Sequence, residues 1–189
     1  MRKLCRGATD HGGSAAVEFG LVALPFFLAL FAVFEIGYSS FLISALDYAT
    51  QVAGRAVMTG AVSTSGLTSS QFKTQIVCPA LPSNFNCSNV FVNMSVVTQG
   101  EIPTGYYAYV NSAVSALVQP ALNNSQLTFC PGAGSQYVVL QIMYPASFLT
   151  AFFSAGATTN YNGQMVHVLM SVTTFKSEPY SGATTYVGC

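Results

Sequence analysis

Between Glu18 and Glu35 runs a stretch, Phe19 to Phe34, in which no residue carries a charge, and apolar character resumes through Ile36, Phe41, Leu42 and Ile43. As an α-helix the uncharged stretch alone is about 24 Å long, and with its flanks it reaches the roughly 30 Å of a hydrocarbon layer. A helix that is apolar on every side has to be covered on every side, by a deep core or by lipid. A chain of 189 residues has room for one ordinary core, or for a membrane helix and a smaller domain.

Composition favours the second arrangement. Only 6% of the residues are charged and 51% are hydrophobic, against about 25% charged in ordinary soluble domains. A secretory signal would end its apolar region in a small-residue A-x-A cleavage site, and no compact apolar stretch here ends so. The stretch therefore reads as a retained membrane helix. Arg2, Lys3 and Arg6 precede it and the next basic residue beyond it is Arg55, so the N-terminus is expected in the cytoplasm and the remainder exported. Pro25 lies inside the span, where its missing N–H predicts a kink or a loosened turn without a break.

Six basic residues balance six acidic ones, which removes the clustered Lys and Arg that neutralising nucleic-acid phosphates requires. The abundance of Gly, Ser, Thr, Asn and Tyr beyond residue 60 suits an exported, neutral, hydrogen-bonding surface.

An acidic residue at the mouth of such a helix needs an explanation, because a charge at a helix centre in lipid costs on the order of 2.5–3.5 kcal/mol by insertion scales. The stretch "GGSAAVEFG" sets Glu18 five residues after Gly13, behind a short basic leader. This arrangement resembles the prepilin pattern of type IV pilin-like proteins. More narrowly, residues 13 to 60 are similar to the N-terminal block of the TadE-like pseudopilins of tight-adherence (Flp) pili. Ala15, Ala16, Val17, Glu18 and Phe19 carry that likeness, followed by Pro25, Glu35 and Gly37, then Ala45-Leu46-Asp47, Ala49, Arg55 and Gly60. "FKSEPY", Phe175 to Tyr180, resembles the family's closing Arg-x-Glu-Pro, with Lys176 near where an arginine is common.

The resemblance implies that a prepilin peptidase, an intramembrane aspartyl protease, cuts after Gly13, making Ser14 the new N-terminus. A cut after Gly12 would put Glu18 at the sixth mature position. It also implies an assembly interface containing Glu18, Phe19, Pro25, Glu35 and Gly37. A free α-amine is largely protonated at neutral pH. That of Ser14 lies four residues from Glu18, on one helical face, so the two can pair within the chain or between neighbouring subunits. The alternative for Glu18 is a passive place at the membrane surface. Glu35, about 25 Å further along a straight helix, reads as a marker of the opposite membrane boundary or as an interhelical contact.

Helical character continues past the span. Ala45, Ala49, Val52, Ala53 and Ala56 recur at three- and four-residue spacing, a small face that would let another helix approach, while Asp47, Gln51 and Arg55 form a polar stripe. Gly60 and the Ser/Thr-rich residues after it read as a stop and a linker. "LTSSQFKTQIV" predicts a short helix capped by Ser69 or Ser70. "NVFVNMSVV", "SQYVVLQIMYP" and "QMVHVLMSVTTF" predict strands. "YYAYVNSAVSALVQ" has helical spacing, with a strand as the alternative, and "ASFLTAFFS" predicts a short helix over the sheet.

The expected fold is α+β and pilin-like, a long N-terminal transmembrane helix leading into a small antiparallel β-sheet domain. Its expected divisions are a leader over 1–13, a helix over 14–60, a linker over 61–70 and an exported domain over 71–189. Cys5 would leave with the leader. The remaining Cys78, Cys87, Cys130 and Cys189 favour two disulfides in an exported domain, with three connectivities open. Pairing Cys78 with Cys87 closes the Pro-rich loop locally and leaves Cys130 to hold Cys189.

No catalytic or metal-binding set is evident: no G-x-S-x-G, no phosphate loop, no HExxH, no CxxC pair, and His167 lies alone in a strand pattern. No cofactor and no enzymatic activity are expected. The expected function is that of a minor, TadE-like pseudopilin in tight-adherence pilus assembly. Its partners would be other pilin or pseudopilin subunits, the prepilin peptidase and the assembly machinery of the bacterial inner membrane. The alternative is a single-pass anchored binding or adhesion module that never assembles.

Overall fold

A computed structural model describes residues 12–97, 119–148, 159–186 and 189. The chain divides into two units, Met1–Ser39 and Ser40–Cys189. Helix α1, Gly12–Met58, supplies all the described structure of the first and the opening element of the second. It continues through Pro25, so the proline removes one backbone donor without ending the helix. Eighteen consecutive residues of this helix average a mean hydropathy of 2.3 and are only 6% buried. It is long and apolar enough to cross a membrane, and its side chains there are exposed all round.

The second unit is built on the last four turns of α1. Leu42, Leu46, Ala49, Thr50, Ala53 and Val57 are buried, the three- and four-residue recurrence of one helical face. The buried Thr50 hydroxyl donates to the Leu46 carbonyl at 2.8 Å, so its polar atom is satisfied within the helix. Asp47, Gln51 and Arg55 lie on the exposed side. Ala49 and Ala53 are fully buried, and next to Ala53 a methyl at Gly54 would lie 3.1 Å from the Thr173 side chain and 3.3 Å from the Phe175 ring. Val52, expected on the same face, is 37% exposed.

Residues 61–70 are more than a linker. Gly60 turns the chain in the left-handed region (φ +78°), a conformation that suits a residue without Cβ. Helix α2, Ala61–Ser65, follows and buries Val62 and Ser63 completely. Helix α3, Ser69–Phe72, is capped by Thr68 instead of Ser69 or Ser70. The Thr68 hydroxyl accepts from the Gln71 N–H while the Gln71 side chain accepts from the Thr68 N–H, a reciprocal box that needs Gln three residues after the cap. A π-helical turn, Lys73–Val77, runs directly into helix α4, Cys78–Ala80.

Cys78 and Cys87 are joined by a disulfide, closing the Pro- and Asn-rich loop between them. Within it the Phe85 ring packs at a tilt against Tyr144, centroids 4.7 Å apart, which pins the loop to the sheet. A second disulfide joins Cys130 to Cys189.

The sheet contains β1 (Phe91–Val97), β2 (Tyr137–Ser147), β3 (Thr159–Tyr161) and β4 (Gln164–Lys176), in the order β1-β2-β4-β3 and antiparallel throughout. Central β2 is buried on both faces from Val138 to Met143, so it reads as a continuous apolar run interrupted only by Gln141. The Gln141 side chain is 1% exposed and accepts from the Asn93 amide at 2.7 Å, across the Asn93–Gln141 register pair. Asn93 in turn accepts from the Thr128 N–H and hydroxyl. Met94 donates to the Thr128 carbonyl and accepts from the Cys130 N–H, so residues 128–130 cover the outer edge of β1, a position where bare backbone would invite foreign strands.

Pairing of β2 with β1 ends at Met143, which leaves Pro145 in a stretch paired on one side, where a proline is tolerated. β3 and β4 meet through Asn162-Gly163, both at positive φ (51° and 81°). This is the two-residue turn that Asn-Gly favours because its twist matches that of the strands. The predicted "ASFLTAFFS" helix differs at its start, since Ala146 and Ser147 belong to β2. Its remainder from residue 149, and "YYAYVNSAVSALV" of the preceding prediction, lie outside the described residues.

Candidate assembly segment

The candidate processing and assembly residues all fall in the first unit, on α1. Gly13 is exposed within the helix's first turn. Glu18, Pro25 and Gly37 are exposed, and Phe19 is 72% exposed. Glu35 differs from them: it is 7% exposed, while Phe34 and Ile36 on either side are 61% and 67% exposed.

The glycines separate by role. A methyl at Gly13, Gly20 or Gly37 would meet nothing within 4 Å, so no packing among the described residues demands glycine there. At Gly134 it would lie 2.6 Å from the Tyr180 backbone N, and at Gly60 2.6 Å from the Tyr180 ring. Those two are demanded by packing of the second unit.

That packing exposes a set of residues that sequence patterns do not reveal. After β4, the chain from Ser177 turns back over the end of α1. Ser177 donates to Gln136 and accepts from the Ser135 N–H, and Glu178 donates to the Met58 carbonyl at 2.8 Å. The Ser63 hydroxyl donates to the Gly132 carbonyl at 2.9 Å, and the Tyr180 hydroxyl is shared between that oxygen and the Ser63 hydroxyl. Thr184 donates to the Ser63 carbonyl. The Tyr186 hydroxyl is shared between the carbonyls of Val62 and Leu67 at 3.1 and 3.2 Å. "FKSEPY" is thus the root of a C-terminal strap: the Phe175 ring lies against Gly54, Lys176 stands over the Tyr137 ring at 5.7 Å, and Tyr180 seats on Gly60.

Burial first, and the neighbouring Tyr180 second, hold the Tyr186 hydroxyl above its ordinary pKa of 10.0. Its protonated form is the hydrogen-bond donor, so its contribution is complete below pH 10.0 and is lost as pH rises through the higher folded value. We expect the strap to lose this contribution on that alkaline limb. Tyrosinate absorbance should include a late-titrating component, and Tyr186→Phe should remove it; its persistence in the variant would refute the assignment.

No curated protein and no solved structure matches this chain at significance. The family model described as TadE-like protein matches residues 13–55, a range that opens on the candidate cleavage residue Gly13, contains the whole apolar segment and stops well before the strap. The N-terminal segment of this chain is therefore TadE-like, consistent with a TadE-like protein of the Tad pilus system.

Proposed function

We propose that the chain is a minor pseudopilin that takes part in assembling a tight-adherence pilus, is cut after Gly13 by a prepilin peptidase, and works as a structural subunit rather than as an enzyme. One observation carries this reading: the TadE-like match begins at Gly13 and coincides with a helix whose apolar side chains are exposed all round. A surface of that kind is stable only in lipid or against other apolar helices, and those are the two environments a pilin helix passes between.

In this reading the leader stays in the cytoplasm, α1 crosses the inner membrane once, and the second unit is exported. The α-amine freed on Ser14 and the Glu18 carboxylate are the contact that sets the axial stagger between neighbouring subunits. Glycines at 13 and 37 with open space around them support the same view, because space left unused inside one chain is available to a protease or to another subunit. Other pilin and pseudopilin subunits, the peptidase and the inner-membrane assembly machinery are the partners.

The test is the mass of the mature chain isolated from cells that carry a prepilin peptidase. The expected N-terminus is Ser14, with Gly13→Val retaining residues 1–13. An intact leader on the wild-type chain would instead support a single-pass anchored binding module that never assembles.

A further inference from the structure

The geometry points to the C-terminal strap, Ser177–Tyr186 with Cys189, as a redox-latched element: the Cys130–Cys189 disulfide fastens it across the end of α1, and reduction releases it. Three observations combine. The strap is tied by hydrogen bonds to two stretches, residues 58–67 through Glu178, Tyr180, Thr184 and Tyr186, and residues 132–136 through Ser177 and Tyr180. These are single hydrogen bonds at a half-exposed surface, each contributing little net stability. The covalent fastening lies at the far end of the strap, joining residues 59 positions apart.

The two sulfurs are unequally placed. Cys130 is 6% exposed, whereas Cys189 is exposed. Thiol–disulfide exchange needs access to the attacked sulfur, so the structure assigns Cys189 as the residue that meets the outside reagent and Cys130 as the one that resolves. For closure, the Cys189 thiolate attacks one sulfur of a disulfide-carrying oxidant and displaces its other sulfur as a thiolate. The Cys130 thiolate then attacks the Cys189 sulfur of that mixed disulfide, completing the latch. The oxidant leaves as a dithiol carrying the two electrons and the two protons given up by the cysteines. An external dithiol reverses both steps, attacking Cys189 first.

The Cys78–Cys87 disulfide is the internal control. It closes a loop that Phe85 and Tyr144 already hold to the sheet, and among the described residues the strap's hydrogen bonds go to residues 58–67 and 132–136. The latch stands independently of the pilin reading, since it concerns the second unit alone.

The test is hydrogen exchange of the full-length chain in detergent micelles, followed on peptides from the strap and from β2 and β4. In Cys189→Ser the strap should exchange at least about tenfold faster, and its loss of protection should exceed any loss in β2 and β4, which lie inside the same covalent loop. Cys87→Ser should leave the strap unchanged. Unchanged strap exchange in Cys189→Ser, or a parallel loss of protection in β2 and β4, would overturn the latch. With oxidised glutathione as probe, Cys130→Ser should take up glutathione at Cys189 at least about tenfold faster than Cys189→Ser takes it up at buried Cys130. Equal rates would overturn the assigned order of attack.

Discussion

With Glu18 replaced by alanine, the chain is expected to be cut and inserted as the wild type is, yet to leave pilus assembly largely abolished. The expectation follows from the proposed assembly role. The cut depends on the leader and Gly13, which the substitution leaves intact, and removing a carboxylate makes insertion of α1 easier by removing a group that is costly in hydrocarbon. What is lost is the acidic partner of the α-amine freed on Ser14. In a low-dielectric setting, leaving one member of such a pair without the other is far more damaging than the net value of the pair suggests. Glu18→Asp should restore assembly in part, because it keeps the charge and shortens its reach. Piliation at wild-type levels in Glu18→Ala would remove the mechanism while leaving the membrane-span reading in place. The measurements are immunoblotting of processed and membrane fractions, and a count of filaments by electron microscopy.

Phe72→Ala should destabilise the second unit by about 3–5 kcal/mol, the range for emptying a buried aromatic position. The Phe72 ring is fully buried and packs against Phe129 at 5.5 Å, and Phe129 packs in turn against Tyr186 at 5.8 Å. The cavity would therefore open beneath both the segment that covers the edge of β1 and the strap. Such a loss is a large fraction of the stability of any small domain. Denaturant unfolding in micelles, followed by tyrosine signals of the second unit, should show the shift in midpoint. Phe72→Leu should recover most of it, because it refills part of the volume. A Phe72→Ala loss below about 1 kcal/mol would mean that the surrounding helices collapse into the gap.

Much of this architecture is legible in periodicity. The apolar run from Phe19 to Phe34 announces a membrane-length helix, because a helix apolar on every side has to be covered on every side. The polar positions Asp47, Gln51 and Arg55 read correctly as the outer face of the same helix, and the three strand predictions correspond to β1, β2 and β4, with boundaries shifted by a few residues. The Asn162-Gly163 turn between β3 and β4 was not among those readings, although Asn-Gly is the dipeptide such a two-residue turn favours.

Other features were hidden for physical reasons. Ala49 and Ala53 look the same whether a helix or a sheet approaches them, since smallness states that something comes near and not what. The Thr68 cap competes with Ser69 and Ser70 in a run of hydroxyl residues, and the reciprocal bond to Gln71 decides among them. Residues 61–70 have a linker's composition, yet Val62 and Ser63 are buried because the strap closes over them. Tyr180 and Gly60 are far apart in sequence, and nothing local reports that one ring seats on the other.

The sequence by itself determined that this chain begins with a TadE-like apolar helix and continues into an α+β domain, because helix length, charge placement and strand alternation are local properties. Only the tertiary structure decided that Cys130 meets Cys189 among three possible pairings, that Glu35 is buried, and that "FKSEPY" opens a strap across the end of α1. Those outcomes depend on which distant segments come to share a surface, and chain topology sets that where residue pattern does not.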